Sequence, residues 1–193
     1  MKIVDIFAIV NDSLYSVQYD GKPYDEFKML FDQWQDIEYL EGFFENNKKD
    51  LAEGFYKDVS IEDAILRTTN EASKFEQKIR ESAENSICNP DEENTLEKVV
   101  FKSLHKDILN NDYIESKAYG VKHKSWLRIY AIRLIENVYF VSGGGIKLTK
   151  DMTPEHLKDE LKKLKATTEY LKENFIVDED DLGYIELGSY GEE

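Results

Sequence analysis

Residues 117–150, KAYGVKHKSWLRIYAIRLIENVYFVSGGGIKLTK, constrain the fold more than any other stretch of the chain. Two runs rich in β-branched and aromatic residues, 126–135 and 138–148, flank Glu136-Asn137. Asparagine tolerates the left-handed backbone that a tight turn needs, so the pattern predicts a β-hairpin with this dipeptide as its loop. Pairing outward from the loop puts Leu127, Ile129, Ala131, Ile135, Val138, Phe140, Ile146 and Leu148 on one face, with Arg133 among them. It puts Trp126, Arg128, Tyr130 and Ile132 on the other, opposite Lys147, Gly145, Gly143 and Val141. The first face reads as core. The second sets an indole, a guanidinium, a phenol and an ammonium over a floor of glycine that leaves backbone exposed.

The same stretch concentrates positive charge. Lys117, Lys122, Lys124, Arg128, Arg133, Lys147 and Lys150 stand against a single acid, Glu136, in a chain whose formal charge is -15. A basic island on an acidic molecule fits an anionic ligand or partner, and it fits equally a set of counter-charges for acidic helices of the same chain. Acidity over the remaining surface disfavours non-specific nucleic-acid binding, which draws on a broadly basic domain.

At 193 residues the chain is long enough for a substantial core, and 41% apolar with 12% aromatic residues argues against disorder. We read it as one domain, 1–193: an N-terminal hairpin at 1–22, an α+β core at 23–176 and an acidic tail at 177–193. No apolar run reaches the length of a membrane span, and the charged start Met1-Lys2-Ile3-Val4-Asp5 does not resemble an export signal, so a cytoplasmic protein without membrane attachment is expected. Cys88 is alone, placed in a polar loop, and His105, His123 and His156 are not spaced as ligands, so neither a disulfide nor a metal or other cofactor is expected.

Along the chain, KIVDIFAIV, Asn11-Asp12-Ser13 and LYSVQY predict a first hairpin closed by Asp20-Gly21-Lys22-Pro23. Phe27, Leu30, Phe31, Trp34, Ile37, Leu40 and Phe44 form a helical stripe that predicts one core-facing helix over about 25–45. Ser60, with Asp63 three residues on, starts the next helix, to about 84. The segment 96–109 fits a strand or a short helix. Thr153-Pro154-Glu155 starts a closing helix, Thr as N-cap and Pro in the first turn, over about 154–174. YIEL at 184–187 could add an edge strand. The order predicts an α+β fold: a mainly antiparallel sheet with helices on one face and the Arg128 face left wet.

No P-loop, dinucleotide fingerprint or nucleophile elbow is present, and the glycines of Ser142-Gly143-Gly144-Gly145 fit close backbone approach or a bulge better than a phosphate cradle. What the residues permit is metal-free chemistry. Cations and aromatics on a sheet can hold a phosphodiester, stack on a base and stabilise charge at phosphorus. His123, between Lys122 and Lys124, is either a surface histidine without a role or a proton carrier for such a site.

The run WLRIYAIRLIENVYFVSGGGIKLTKDMTPEHLKDEL resembles the C-terminal half of the RelE/HigB/ParE toxin superfamily. The resemblance rests on the strand arginine in Leu127-Arg128-Ile129, the second strand Tyr139-Phe140-Val141, the basic segment with Lys147 and Lys150, and the helix start Thr153-Pro154. It implies a RelE-like core, a toxin-like component of a toxin–antitoxin pair, and an RNA-cleaving or translation-inhibiting site that uses no metal. Its partners would be a cognate antitoxin protein and an mRNA or ribosome. In that reading Arg128, Lys147, Tyr130 and His123 are catalytic, while Lys117, Lys122, Lys124, Trp126 and Lys150 bind nucleic acid. The chain is longer and far more acidic than that family's members, which keeps open a second reading: a non-enzymatic binding protein of the same fold, docking partners through its acidic surface.

Overall fold

The computed structural model describes residues 1–53, 59–104, 113–122 and 124–174. Its elements are β1 (Ile3–Val10), β2 (Leu14–Tyr19), α1 (Glu26–Gln35), α2 (Ile37–Asn46), α3 (Lys48–Glu53), α4 (Ile61–Cys88), a π-turn at Leu96–Val100, β3 (Phe101–Ser103), β4 (Ile114–Tyr119), β5 (Leu127–Arg133), β6 (Tyr139–Ile146) and α5 (Glu155–Glu173). The six strands form one mixed sheet in the order β1-β2-β6-β5-β4-β3, an α+β fold. All neighbours are antiparallel except β2 and β6, which run parallel. Among the described residues no helix is long and apolar enough to cross a membrane.

Helices cover both faces of this sheet, not one. Leu127, Ile129, Ala131, Tyr139 and Val141 pack with Phe27, Leu30, Trp34, Leu40, Phe44 and Phe75 of α1, α2 and α4. On the opposite face Tyr15, Tyr130, Ile132 and Phe140 pack with Leu164 and Leu171 of α5. The expected single helix over 25–45 is two. Asp36 interrupts it, its carboxylate accepting from the backbone N–H of Glu38 and Tyr39, so Ile37 leaves the buried stripe and is 65% exposed. A carboxylate that satisfies two orphan donors outweighs a continuous apolar stripe. Ser60 does cap α4, which runs to Cys88 and so takes in the cysteine assigned to a loop. At α5 the expected Thr153 cap is displaced: Thr153 donates to Asp151 instead, and Pro154 precedes the first helical residue.

The hairpin of β5 and β6 forms with a different loop. Leu134 N–H donates to the Val138 carbonyl, so Ile135, Glu136 and Asn137 make a three-residue loop, with Asn137 at φ 62. The extra loop residue is balanced by a bulge at Ser142, between the pairs Ala131–Val141 and Tyr130–Gly143. From Tyr130 outward the expected partners hold: Tyr130–Gly143, Arg128–Gly145, Leu127–Ile146. Nearer the loop every residue of β6 is out of step by one, which is why Phe140 and Val138 join the α5 side and Val141 the other. Arg133, expected among core residues, forms an ion pair with Glu97.

Asn137 holds this loop in two ways. Its Oδ1 lies 3.3 Å from the Glu97 N–H and 3.4 Å from the Ser86 hydroxyl, and its backbone takes the left-handed conformation. Asn137→Ala should therefore cost about 2–3 kcal/mol, combining left-handed strain with lost hydrogen bonds. Asn137→Gly, which keeps the backbone, should cost about 1 kcal/mol. Urea unfolding of the two variants checks the order; equal losses would show that the backbone conformation contributes nothing.

Close helix packing accounts for the glycines. A Cβ at Gly143 would strike the Glu160 carboxylate of α5, and one at Gly144 would strike the Arg128 carbonyl and lie 2.9 Å from Leu30 of α1. Beside Gly143, Lys163 of α5 bridges two buried carboxylates, Glu26 of α1 at 2.7 Å and Glu160 at 2.8 Å. One oxygen of each glutamate has no hydrogen-bond partner. Burial, only partly offset by Lys163, pushes the Glu160 carboxyl up to about 7 and raises Glu26 as well.

Candidate functional site

On the α5 side of the sheet, past the end that the helix covers, lies a cavity of about 510 Å³. Its floor follows from strand alternation: Lys117 and Tyr119 of β4 and Arg128 and Tyr130 of β5 project to the same side, with Lys117 paired to Tyr130 and Tyr119 to Arg128. Lys147, just beyond β6, is held by its backbone N–H, which donates to the Trp126 carbonyl at 2.7 Å. Lys122 and Lys124 line one rim and Lys150 another; Met152 and Leu161 close the side toward α5. Among the described residues the lining contains no carboxylate.

Arg128 is fixed before any ligand arrives. One terminal nitrogen, Nη1, donates to the carbonyls of Ser125 at 2.8 Å and Leu127 at 2.7 Å, and the guanidinium lies 4.2 Å from the centre of the Tyr119 ring. Nε and the other terminal nitrogen have no partner among the described residues, and Arg128 makes no ion pair there. That leaves a planar pair of donors pointed by backbone and aromatic contacts, the arrangement suited to a phosphate or carboxylate. Lys117, 5.5 Å from the same ring, and Lys147 make no ion pair with a described residue, although the Asp151 carboxylate is near enough to favour the Lys147 charge. Burial, then repulsion from Arg128 and Lys117, lowers the Lys147 ammonium below the ordinary lysine range. Asp151 offsets this repulsion only in part, so the three cations favour an anion in the groove.

Tyr130 is buried, and burial pushes its phenol up to about 12, so at neutral pH it is a donor. Among the described residues its hydroxyl meets only the Met152 sulfur, at 3.5 Å, and the Lys147 ammonium meets the same sulfur at 3.4 Å.

Of the residues singled out from sequence, Lys117, Lys122, Lys124, Arg128, Tyr130, Lys147 and Lys150 come together in this one cavity. Trp126 does not. It is fully buried on the other side, its indole N–H donating to Thr68 of α4 at 2.9 Å and its ring covered by Arg67 at 4.4 Å, so it offers no surface for a base. The strand has not begun at Trp126, and the alternation that assigned it to the open face does not reach it. The glycine floor is also absent, since the glycines seat helices. His123 lies outside the described residues, as do the 184–187 strand and most of the 96–109 segment beyond Leu104. The residue that sequence reasoning missed is Tyr119. Lys117-Ala118-Tyr119 alternates as a strand, and that spacing alone places Tyr119 beside Lys117.

The rim is braced from below. Glu71 of α4 is fully buried and accepts from the Lys122 N–H at 3.1 Å, while Arg67 donates to the Lys124 carbonyl at 2.7 Å. Glu71→Ala should lower anion affinity about threefold to tenfold by loosening the loop that carries Lys122 and Lys124, whereas Glu71→Gln, which keeps the acceptor, should retain most of it. Titration with a short labelled RNA checks this; equal affinities in both variants would show that the brace does not matter for binding.

Comparison with protein-family models, curated proteins and solved structures gives no match for this chain.

Proposed function

We propose that the chain is a toxin-like component of a toxin–antitoxin pair, acting on RNA through this groove. The observation that carries the reading is the cavity lined by Lys117, Lys122, Lys124, Arg128, Lys147 and Lys150, with no carboxylate among the described lining residues, on a protein of charge -15. Charge focused in a cleft draws in a polyanion even when the wider surface repels it. A lining of ammonium and guanidinium groups also repels a divalent metal, so the positive charge for the reaction would come from the chain itself.

In the reaction a ribose 2′-oxygen attacks the adjacent phosphorus and the 5′-oxygen leaves. The products are a 2′,3′-cyclic phosphate and a 5′-hydroxyl; one proton departs from the 2′-oxygen and one arrives at the 5′-oxygen. Arg128 and Lys147 would stabilise the extra negative charge at phosphorus. Tyr130, held protonated, would donate a hydrogen bond. Lys147, with its lowered ammonium, and His123 are the residues to test for moving the proton.

Induced expression should arrest growth, and the purified protein should cut RNA, alone or with translating ribosomes, as well in EDTA as without it. Normal growth together with intact RNA in both settings would end the nuclease reading. A second reading is favoured by one observation: Tyr130 stays protonated at neutral pH, and no described residue lining the groove offers a carboxylate as general base. RNA bound but left uncut would support it, making the chain a binding protein. A cognate antitoxin would then, in either reading, be a protein able to cover the groove.

A further inference from the structure

The groove has two unlike walls. Lys117, Arg128 and Lys147 supply charge on the sheet side. On the α5 side the lining is Met152 and Leu161, with Leu104 beyond. Leu161 is 41% exposed, although Leu157, Leu164 and Leu171 of the same helix are buried. A site for a bare phosphate has no use for such a wall. At the junction, the Tyr130 hydroxyl and the Lys147 ammonium both end on one thioether sulfur. Sulfur is a weak acceptor, so two strong donors are left with most of their hydrogen-bonding capacity unused at the seam between charge and hydrocarbon.

From this juxtaposition we infer that the groove seats one unpaired nucleotide unit, its phosphate against Lys117, Arg128 and Lys147 and its base against Met152 and Leu161. The inference rests on the anionic-ligand reading of the groove and narrows it to single-stranded nucleic acid. A nucleotide is the common biological ligand that joins an anionic phosphate to a flat, largely apolar ring bearing oxygen acceptors. The cavity is of a size that holds such a unit. The donors at the seam meet phosphate or base oxygens, which replace the Met152 sulfur as acceptors. A base in a duplex is already stacked and paired and cannot reach the apolar wall.

The test measures binding of three probes to the full chain: a short unstructured 2′-O-methyl RNA, which cannot be cut, the abasic phosphodiester of equal length, and a duplex of the same RNA. The unpaired RNA should bind about tenfold tighter than the abasic strand, and tighter than the duplex. Leu161→Ser, at an exposed position, should erase several-fold of that advantage, the abasic strand losing less than the RNA; Lys117→Ala should weaken both single strands alike. Equal binding of RNA and abasic strand, or tighter binding of duplex, would overturn the base seat while the anion groove stood. Binding of none of the three would overturn the groove reading itself.

Discussion

Lys163→Met should lower the stability of this protein by about 3–5 kcal/mol, the cost of removing one partner from a buried ionic cluster. Lys163 is the counter-charge shared by Glu26 and Glu160, whose side chains are 2% and 9% exposed. Without it, two carboxylates face each other beneath α5 in low dielectric. The loss should therefore depend on pH. The Glu160 carboxyl is raised from 4.5 to about 7 by burial, so the folded state holds its proton more tightly than the unfolded chain does. Its contribution is fully present below about 4.5 and is lost as pH rises through about 7. Lys163, whose ammonium is raised above 10.5 despite burial because both glutamates favour its charge, keeps its contribution until pH passes that range. The wild type should thus be more stable near pH 5 than near pH 8, by on the order of 3 kcal/mol from Glu160 alone. The variant should show a steeper dependence, recovering part of its loss at pH 5 as both carboxyls take up protons. Urea unfolding at the two pH values measures this; a loss of the same size at both would mean that the cluster's charge is not what α5 docking rests on.

Arg128→Ala should weaken binding of a short single-stranded RNA about 10–100-fold, the worth of charge-assisted hydrogen bonds to phosphate. The salt dependence should fall by about 0.7 in the slope of log affinity against log salt, one cation's share for a single strand. Arg128→Lys should recover only part, because a lysine cannot both reach the Ser125 and Leu127 carbonyls and present a planar donor pair. Thermal stability should change little, since the guanidinium bonds no carboxylate among the described residues. Wild-type affinity in Arg128→Ala, at low salt, would remove Arg128 from the binding site.

Much of this was readable from local chemistry, and the failures share a cause. Ser60 with Asp63, the hairpin of 117–150 and the left-handed Asn137 are decided within a few residues, and they stand where the pattern put them. Asp36 is equally local, but the apolar stripe that runs through it hides the cap. The side of the sheet that α5 takes, the burial of Trp126 against Thr68 and the seating of helices on Gly143 and Gly144 depend on contacts between residues distant in sequence. No periodicity in a single chain encodes those. For the groove, the cations are legible from composition, and their convergence follows from strand pairing between Leu127, the start of β5, and Tyr130. The apolar wall was not, because Leu161 reads as one more core position of α5 until the helix is seen to overhang the end of the sheet.

The bulge at Ser142 has a consequence for how this hairpin can vary in length. Because Val141 pairs with Ala131 and Gly143 with Tyr130, Ser142 is a spare unit between two matched tracks. Deleting it would leave every partner in β5 and β6 as it is. The cost would be local: the Ser142 hydroxyl donates to the Tyr130 carbonyl, and its own carbonyl accepts from the Tyr19 phenol. Deletion of either neighbour would draw Ser142 into its place, a hydroxyl opposite Ala131 in the apolar core or a Cβ opposite Tyr130 striking Glu160. A single-codon loss at 142 should thus yield a weakened but correctly paired protein, so that length variation in the strand, as well as in the loop at 135–137, is open to this fold.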